Sequence, residues 1–456
     1  METRLSRLSK ELYDELEDKG YFTGWKQVGS VYVAQTKERL HYYKRLKSEA
    51  LHQKIDCEVI TDLDKLKEIC PLIRVDDLEG ALWVPTDGVA NPFEICRALS
   101  ALSQEMGVRM IQNCELKEVL VKNGSVSGVV TSKGYIKCKY FVNTAGMWAR
   151  EIGHKSNPRV QIPLHTAEHY YLHTKPVADL FPNTPVVHDP DANIYFRENE
   201  GRFLAGGFEP EAKPIDELPN TVSKNEMPVD WDHFHILLEG ILHRVPSMGN
   251  AVLERLTNGP EPFSPDGNWV LGQAPEIRNY YVASAMRSIG IGAAGGVAEL
   301  ICNYIEKGYP SFDMHNLDIQ RFLPAHNNRK FLKDRVQEVP SLFYSIPYPY
   351  QEFKQGRGLR TSPIFPKLRD AGARFNQIMG YERAMYFKPS GKPVDLGQFG
   401  MSGGFAGLDK QSESDTETKT VGKGSNAREI KVATTDTFHK VIYWFQMPKR
   451  HIMNCR

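Results

Sequence analysis

Gly290, Gly292, Gly295 and Gly296 fall in the run Gly290-Ile291-Gly292-Ala293-Ala294-Gly295-Gly296, between the β-like segment Tyr280–Ala285 and an apolar helical stretch from Val297 to Ile305. Strand, G-x-G-x-x-G, helix is the pattern of a dinucleotide fold, in which the glycines let the backbone approach a pyrophosphate. That fingerprint belongs on the first strand, yet nearly three hundred residues precede it here. Either the chain begins with something else, or this loop meets a different part of a cofactor. A second glycine turn, Ala145-Gly146, ends the run Tyr140-Phe141-Val142-Asn143 and reads as close passage of a cofactor or as a plain strand-to-helix turn. Tyr195 and Arg197, two apart on a β-like segment, share a face and could clamp a carboxylate, or form an ordinary sheet-surface pair. His233 and His235 lie on a helical segment, where side chains two apart diverge, so metal binding is not expected there. No Ser-His-Asp order, P-loop or zinc spacing occurs elsewhere.

The bulk properties are those of an ordinary globular protein. The 456 residues are 41% hydrophobic and 25% charged with a net charge of +1, which suggests about three domains and gives no electrostatic support for a nucleic-acid or membrane partner. The seven cysteines are scattered without a C-x-x-C, which argues against a zinc ribbon or a disulfide framework and fits a reducing compartment. The most apolar window, Ala283 to Ile301, carries Arg287 and Glu299 and makes a poor membrane span. At the amino terminus Leu5, Leu8, Leu12 and Leu16 recur at helical spacing among acids and bases, unlike a secretory or matrix-targeting segment. The chain is therefore expected to start inside a folded domain.

The elements that must position these residues alternate between helix and strand. A strand over Gly29–Ala34 precedes an amphipathic helix marked by Leu40, Tyr43, Leu46 and Ala50, and Thr61 with Asp64 is the expected cap of a short helix ending near Pro71. A strand from Gly80 to Pro85 is followed by a helix opened by Asn91-Pro92. Val108–Ile111 reads as a buried strand, and a β-meander follows with turns at Asn123-Gly124 and Lys133-Gly134. Tyr140–Asn143 reads as a strand buried on both faces. Residues Glu168–His173, Asn193–Arg197 and Phe203–Phe208 are further strands, and Asp230 opens a helix. This order implies an α/β (α+β) chain that visits a nucleotide-type domain at 1–20, 93–156 and 263–309, and a β-rich substrate-type domain at 21–92 and 157–262. Residues 310–388 are proline-rich and aromatic, and 389–456 form a polar tail, with Gln411–Arg428 too poor in apolar groups to order.

The motifs Val142-Asn143-Thr144-Ala145-Gly146-Met147-Trp148-Ala149, Phe263-Ser264-Pro265-Asp266 and Leu271-Gly272-Gln273-Ala274-Pro275, together with the 290 loop, resemble the FAD-dependent dimethylglycine and sarcosine dehydrogenase family. A narrower likeness, carried by Ile162–His169, Asp230–Phe234, Phe331–Val336 and Arg357–Pro363, is to the regulatory subunits of mitochondrial pyruvate dehydrogenase phosphatase within that family. The likeness covers about residues 5 to 388. It implies a D-amino-acid-oxidase-like FAD oxidoreductase fold that lacks its first βαβ unit, followed over about 356–388 by the opening of a folate-binding (aminomethyltransferase-like) domain. The sequence is accordingly expected to be a fragment, splice form or incomplete gene model.

The resemblance also implies site residues. FAD would lie against Val119, Ala145, Gly146, Trp148, Gly290, Gly292, Gly295 and Gly296, with the 290 loop facing the isoalloxazine. Arg287 would pair with the flavin edge or a substrate carboxylate, or remain a surface arginine. His169 and Tyr171 would stand on the substrate side as candidate catalytic residues with Arg197, or simply satisfy a strand pair. The implied partners are the phosphatase catalytic subunit and a small N-methyl amino acid, and the implied location is the mitochondrial matrix. Regulation, amine oxidation and a non-binding fragment all remain open at this point.

Overall fold

The computed structural model describes residues 1–177, 180–181, 183–218, 227–348 and 351–387, with the strands Thr416–Val421 and Arg428–Ala433. The chain divides into two units, Met1–Ile346 and Pro347–Arg456. In the first unit, helix α1 (Glu2–Asp18) buries Leu5, Ser9, Tyr13 and Leu16 along one stripe, the face expected from its leucine spacing. Strand β1 (Ser30–Ala34), helix α2 (Lys37–His52), strand β2 (Glu58–Ile60), helix α3 (Leu63–Ile69), strand β3 (Gly80–Val84) and helix α4 (Pro92–Glu105) follow. Asn91 caps α4 through its side chain, as the Asn-Pro pair indicated. The α3 cap is Asp62 rather than Thr61, because its carboxylate accepts from the Asp64 and Lys65 amides.

The meander forms a three-stranded sheet of β4 (Leu116–Lys122), β5 (Ser125–Thr131) and β6 (Gly134–Ile136). Val108–Ile111 is not a strand. Val108, Met110 and Ile111 are exposed, with no neighbouring strand to pair with among the described residues. Strand β7 (Phe141–Asn143) and helix α5 (Ala149–Gly153) come next, then β8 (His165–Thr174), β9 (Val186–Asp189), β10 (Ile194–Asn199), β11 (Arg202–Gly207), helix α6 (Trp231–Arg244), β12 (Leu253–Phe263), β13 (Val270–Gln273), β14 (Tyr280–Ser284), helix α7 (Gly290–Lys307) and helix α8 (Arg329–Val336).

Two sheets frame the site. The larger has the order β12-β8-β11-β10-β9-β1-β3-β2, and the smaller the order β13-β14-β7, with β14 and β7 parallel. Strand β12 contains Gly259, Pro260 and Pro262, a composition that argues against a strand; it survives because it is the sheet's edge, where a proline without an N–H breaks no ladder bond on the open side. Strand β7 is likewise an edge, so Val142 is exposed rather than buried on both faces. The main core lies on one face of the eight-stranded sheet, where Val31, Val33, Tyr170, Leu172, Ile194, Phe196 and Phe203 pack with Phe234, Leu237 and Ile241 of α6. Alternation along the strands sends the intervening residues to the other face.

The second unit contains helix α9 (Phe365–Asp370) and the hairpin β15 (Ala373–Ile378) with β16 (Tyr381–Phe387). Within the stretch expected to stay unordered, β17 (Thr416–Val421) pairs antiparallel with β18 (Arg428–Ala433). The other tail residues lie outside the described set. No helix among the described residues is long and apolar enough to cross a membrane.

Candidate functional site

The face of the eight-stranded sheet opposite α6 carries a row of aromatic side chains with polar tips. Register places Tyr32 beside His188, His188 beside Tyr195, Tyr195 beside Gly206, and Gly206 beside Tyr171. Gly206 must be glycine, because a Cβ there would fall 2.8 Å from the Tyr195 hydroxyl and 2.9 Å from the Tyr171 Cβ. The His188 and Tyr32 rings stack at 4.4 Å, and His188 Nδ1 lies 2.8 Å from the Tyr344 hydroxyl. His169 Nε2 is 3.2 Å from the Tyr195 hydroxyl, with the Phe208 ring 5.1 Å from its own. Phe343 stacks on Phe208 at 4.6 Å and closes that side of the row.

Burial fixes the protonation states. It holds His188 down to about 4 and lowers His169 against the opposing pull of Glu261, so both imidazoles are neutral at pH 7. Glu209, next in chain to Phe208, is 1% exposed with neither carboxylate oxygen hydrogen-bonded. Burial first, then the charges of Glu168 and Glu261, push it up to about 8. Arg197 lies one row away, opposite Leu204, which in turn pairs with His173. It donates to the Glu198 carbonyl at 3.2 Å. Among the described residues no carboxylate lies within 4.0 Å of it, and burial lowers its pKa. A half-buried guanidinium without a carboxylate partner has the charge and geometry to receive one.

The second wall comes from the smaller sheet. Parallel strands β7 and β14 both end here and run on into Gly146 and Ala285, and the carboxyl ends of parallel strands are where open α/β sheets bind ligands. Gly146 has φ 54, a Cβ on it would meet nothing within 4 Å, and its carbonyl accepts from Ser284 Oγ at 3.0 Å. Beyond Ser284 the chain turns through three non-glycine residues in the left-handed region, Ala285, Arg287 and Ser288, with φ of 58, 37 and 60. Such conformations cost of order 1–3 kcal/mol each and concentrate at functional sites. Ser288 Oγ donates to Glu261 Oε1 at 2.6 Å, and Glu261 Oε2 is 3.8 Å from His169 Nδ1. This chain of contacts joins the strained turn to the aromatic face.

The glycines after the turn divide into two pairs. Gly290 has open space where a Cβ would be, and Gly292 meets only the Ile289 side chain at 3.2 Å. Gly295 and Gly296 are instead packed under α1. A Cβ on Gly296 would sit 2.2 Å from the Leu5 carbonyl, and one on Gly295 would sit 2.8 Å from the Ser9 Cα. Their lack of a side chain permits helix–helix contact, so the reading of all four as a cofactor cradle is corrected to the first two. Val119 is also removed from the cofactor set: it is 1% exposed in the meander core, and its N–H donates to the Lys155 carbonyl at 2.8 Å. Trp148 closes the turn after Gly146 through its N–H to the Ala145 carbonyl at 3.0 Å. Glu2 accepts from the Arg287 guanidinium at 2.9 and 3.1 Å, and the guanidinium lies 6.0 Å from the centre of the Phe343 ring.

His169, Tyr171 and Arg197 thus share one face, and Gly146, Gly290 and Gly292 lie at the strand ends beside it. Sequence reading missed Tyr32, His188, Gly206, Phe208, Glu209, Glu261, Phe343 and Tyr344. Only Tyr32 left a usable signal, as a polar-tipped aromatic between the core valines 31 and 33. Phe343 and Tyr344 come from a segment without a readable period. Among the described residues no group of His, Cys, Asp and Glu is placed to hold a metal.

An aromatic sheet face that carries Arg197, set against glycine turns at parallel strand ends, is compatible with a flavin-dependent oxidoreductase. Residues 1–304 match the model of the FAD dependent oxidoreductase family, and residues 307–362 match that family's central domain. The chain belongs to this family, whose cofactor is FAD. It is 39% identical to the mouse mitochondrial pyruvate dehydrogenase phosphatase regulatory subunit over 86% of this chain and 45% of that protein. It is 32% identical to mouse mitochondrial sarcosine dehydrogenase over 86% of this chain and 43% of that protein. The chain therefore spans less than half the length of these curated relatives. L-Proline dehydrogenase from P. horikoshii shares the fold at TM-score 0.63 and 25% identity, over 70% of this chain and 82% of that one. Glycine oxidase from Geobacillus kaustophilus matches at 0.59 and 20%, over 70% and 82%.

The residues present fit the ring end of FAD. The backbone at Gly146 and Gly290 is uncovered, since a Cβ on either would meet nothing within 4 Å, and the amino terminus of α7 would favour negative charge on a ring placed there by roughly 0.3–1 kcal/mol.

Proposed function

We propose that this chain is the flavin-facing body of a mitochondrial regulator that acts with the catalytic subunit of pyruvate dehydrogenase phosphatase. The observation that carries this reading is its likeness to the phosphatase regulatory subunit, 39% against 32% for sarcosine dehydrogenase over nearly the same stretch. A second reading, oxidation of an N-methylated glycine such as sarcosine or dimethylglycine, is supported by the unpaired Arg197 on the face that holds His169 and Tyr171.

In both readings Gly146, Gly290 and Gly292 line the flavin ring and Arg197 holds the carboxylate of a small amino acid. Bound FAD would supply the acceptor for a hydride from the carbon next to nitrogen. The chain's own residues orient that carbon. Neutral His169, held between Tyr195 and Glu261, can take a proton from the amine, while Phe208, Phe343 and Tyr344 keep water from the face.

The experiment mixes the purified chain with FAD, then adds sarcosine or dimethylglycine without oxygen, and separately tests capture of the phosphatase catalytic subunit. Capture without loss of the flavin absorbance is the expected result. Bleaching of the flavin without capture selects the second reading, and neither response overturns both.

A further inference from the structure

A pocket of about 230 Å³ is lined by, among others, Arg150, Glu151, His165, Thr166, Arg329 and Lys333. Its lining includes none of Tyr32, His169, Tyr171, His188 and Tyr195, although His165 alternates onto the same side of β8 as His169. Thr166 alternates onto the side of β8 away from His169. Cations outnumber acids in this lining, and two of the cations lack carboxylate partners. Arg150 is 8% exposed and donates only to neutral acceptors, the Asn327 side-chain and main-chain oxygens, at 2.9 and 3.2 Å. Arg329 is exposed at the rim and has no carboxylate within 4.0 Å among the described residues. Lys333 and Lys330 are paired, with Asp216 and Asp334.

Three buried polar atoms of the lining have no hydrogen-bond partner: Thr166 Oγ1, His165 Nε2 and Glu151 Oε2. Thr166 as a whole is 2% exposed. A buried polar atom left unpaired costs about 1–3 kcal/mol, and native proteins carry few of them. Three around one pocket, beside two uncompensated guanidiniums, mark a place where a ligand supplies the missing bonds. Burial lowers the pKa of Arg150, the nearby Arg329 lowers it further, and the Glu151 carboxylate opposes both.

We propose that this pocket binds a small oxyanion that also carries a hydrogen-bond donor, such as a hydrogen phosphate group or a 2-hydroxy carboxylate. Arg150 and Arg329 take the oxyanion, Thr166 and His165 complete its shell, and Glu151 Oε2 accepts from the donor. The volume admits a group of this size.

Isothermal titration of the full purified chain with inorganic phosphate, with lactate and with acetate at constant ionic strength tests this. Saturable 1:1 binding of phosphate or of lactate is expected, with acetate, which lacks the donor, weaker. Phosphate alone assigns a phosphate-bearing ligand and lactate alone a hydroxy acid. Arg329→Ala, a rim change that leaves the fold intact, should weaken binding about tenfold, the effect of losing one charge-assisted bond. Thr166→Val should weaken it severalfold with an unchanged circular dichroism spectrum. Absence of binding by both phosphate and lactate, or wild-type affinity in both variants, overturns the proposal.

Discussion

Glu209→Gln stabilises the chain by roughly 3 kcal/mol at pH 7. Glu209 is raised from an ordinary 4.5 to about 8 in the folded state, first by burial and then by Glu168 and Glu261. A group whose folded pKa is raised contributes its full stability below the unfolded value and loses it as pH climbs toward the folded one. The window is therefore pH 4.5 to 8, and by pH 7 most of the cost of keeping a proton on Glu209 has accumulated. Glutamine has the same shape and no proton to hold, so it removes that cost. Urea denaturation at pH 5 and pH 7 checks the prediction: the two proteins should differ little at pH 5, and the variant should be clearly more stable at pH 7. An equal difference at both pH values would show that Glu209 is not held protonated. An unpaired buried acid beside Phe208 and the His169 face is a cost that proteins carry at working sites rather than in inert cores.

Arg244→Ala should cost about 3–5 kcal/mol, because it leaves the buried Asp189 carboxylate without its cation. Arg244 is fully buried; its Nε donates to Asp189 at 2.8 Å, and its two terminal nitrogens reach Asp77 at 2.7 and 2.9 Å. Asp189 is 1% exposed and keeps only Gln35 and the Ala192 amide when the guanidinium is gone. The ion cluster ties the end of α6 to β9, the strand that presents His188. A fall in the urea midpoint without a change in slope is the expected outcome, and Asp189→Asn in the Arg244→Ala background should restore part of the loss. A change of less than about 1 kcal/mol, the range of surface ion pairs, would contradict the burial argument.

The local elements of this fold were legible in the sequence because their causes are local. The stripe of α1, the Asn91-Pro92 start of α4 and the two glycine turns of the meander each follow from residues within a few positions of one another. The eight-stranded sheet was not legible, since its order joins β12 to β8 and β9 to β1 across long separations, and the prolines of β12 argue against a strand until its edge position is known. The same limit applied to the site. Tyr171 with His169, and Tyr195 with Arg197, could be paired by alternation, but nothing local brings Phe343 and Tyr344 to that face or joins Ser288 to Glu261. The G-x-G-x-x-G pattern misled at its second half because a glycine needed against α1 and a glycine needed against a ligand look alike in sequence. Val108–Ile111 misled because apolar residues in an extended run signal a strand whether or not a neighbour is there to pair with them.

The proposal that the turn from Ala285 to Gly292 and the aromatic face joined to it by Ser288, Glu261 and His169 form one ring-binding site is tested most directly by titrating FAD with the full purified chain while following flavin fluorescence. Progressive quenching is expected as the ring comes to lie beside the tyrosines of the face, and Gly290→Val should abolish it, since the new side chain meets no protein atom but fills the space over the turn. Undiminished FAD fluorescence with the unaltered chain, or equal quenching by Gly290→Val, would contradict it.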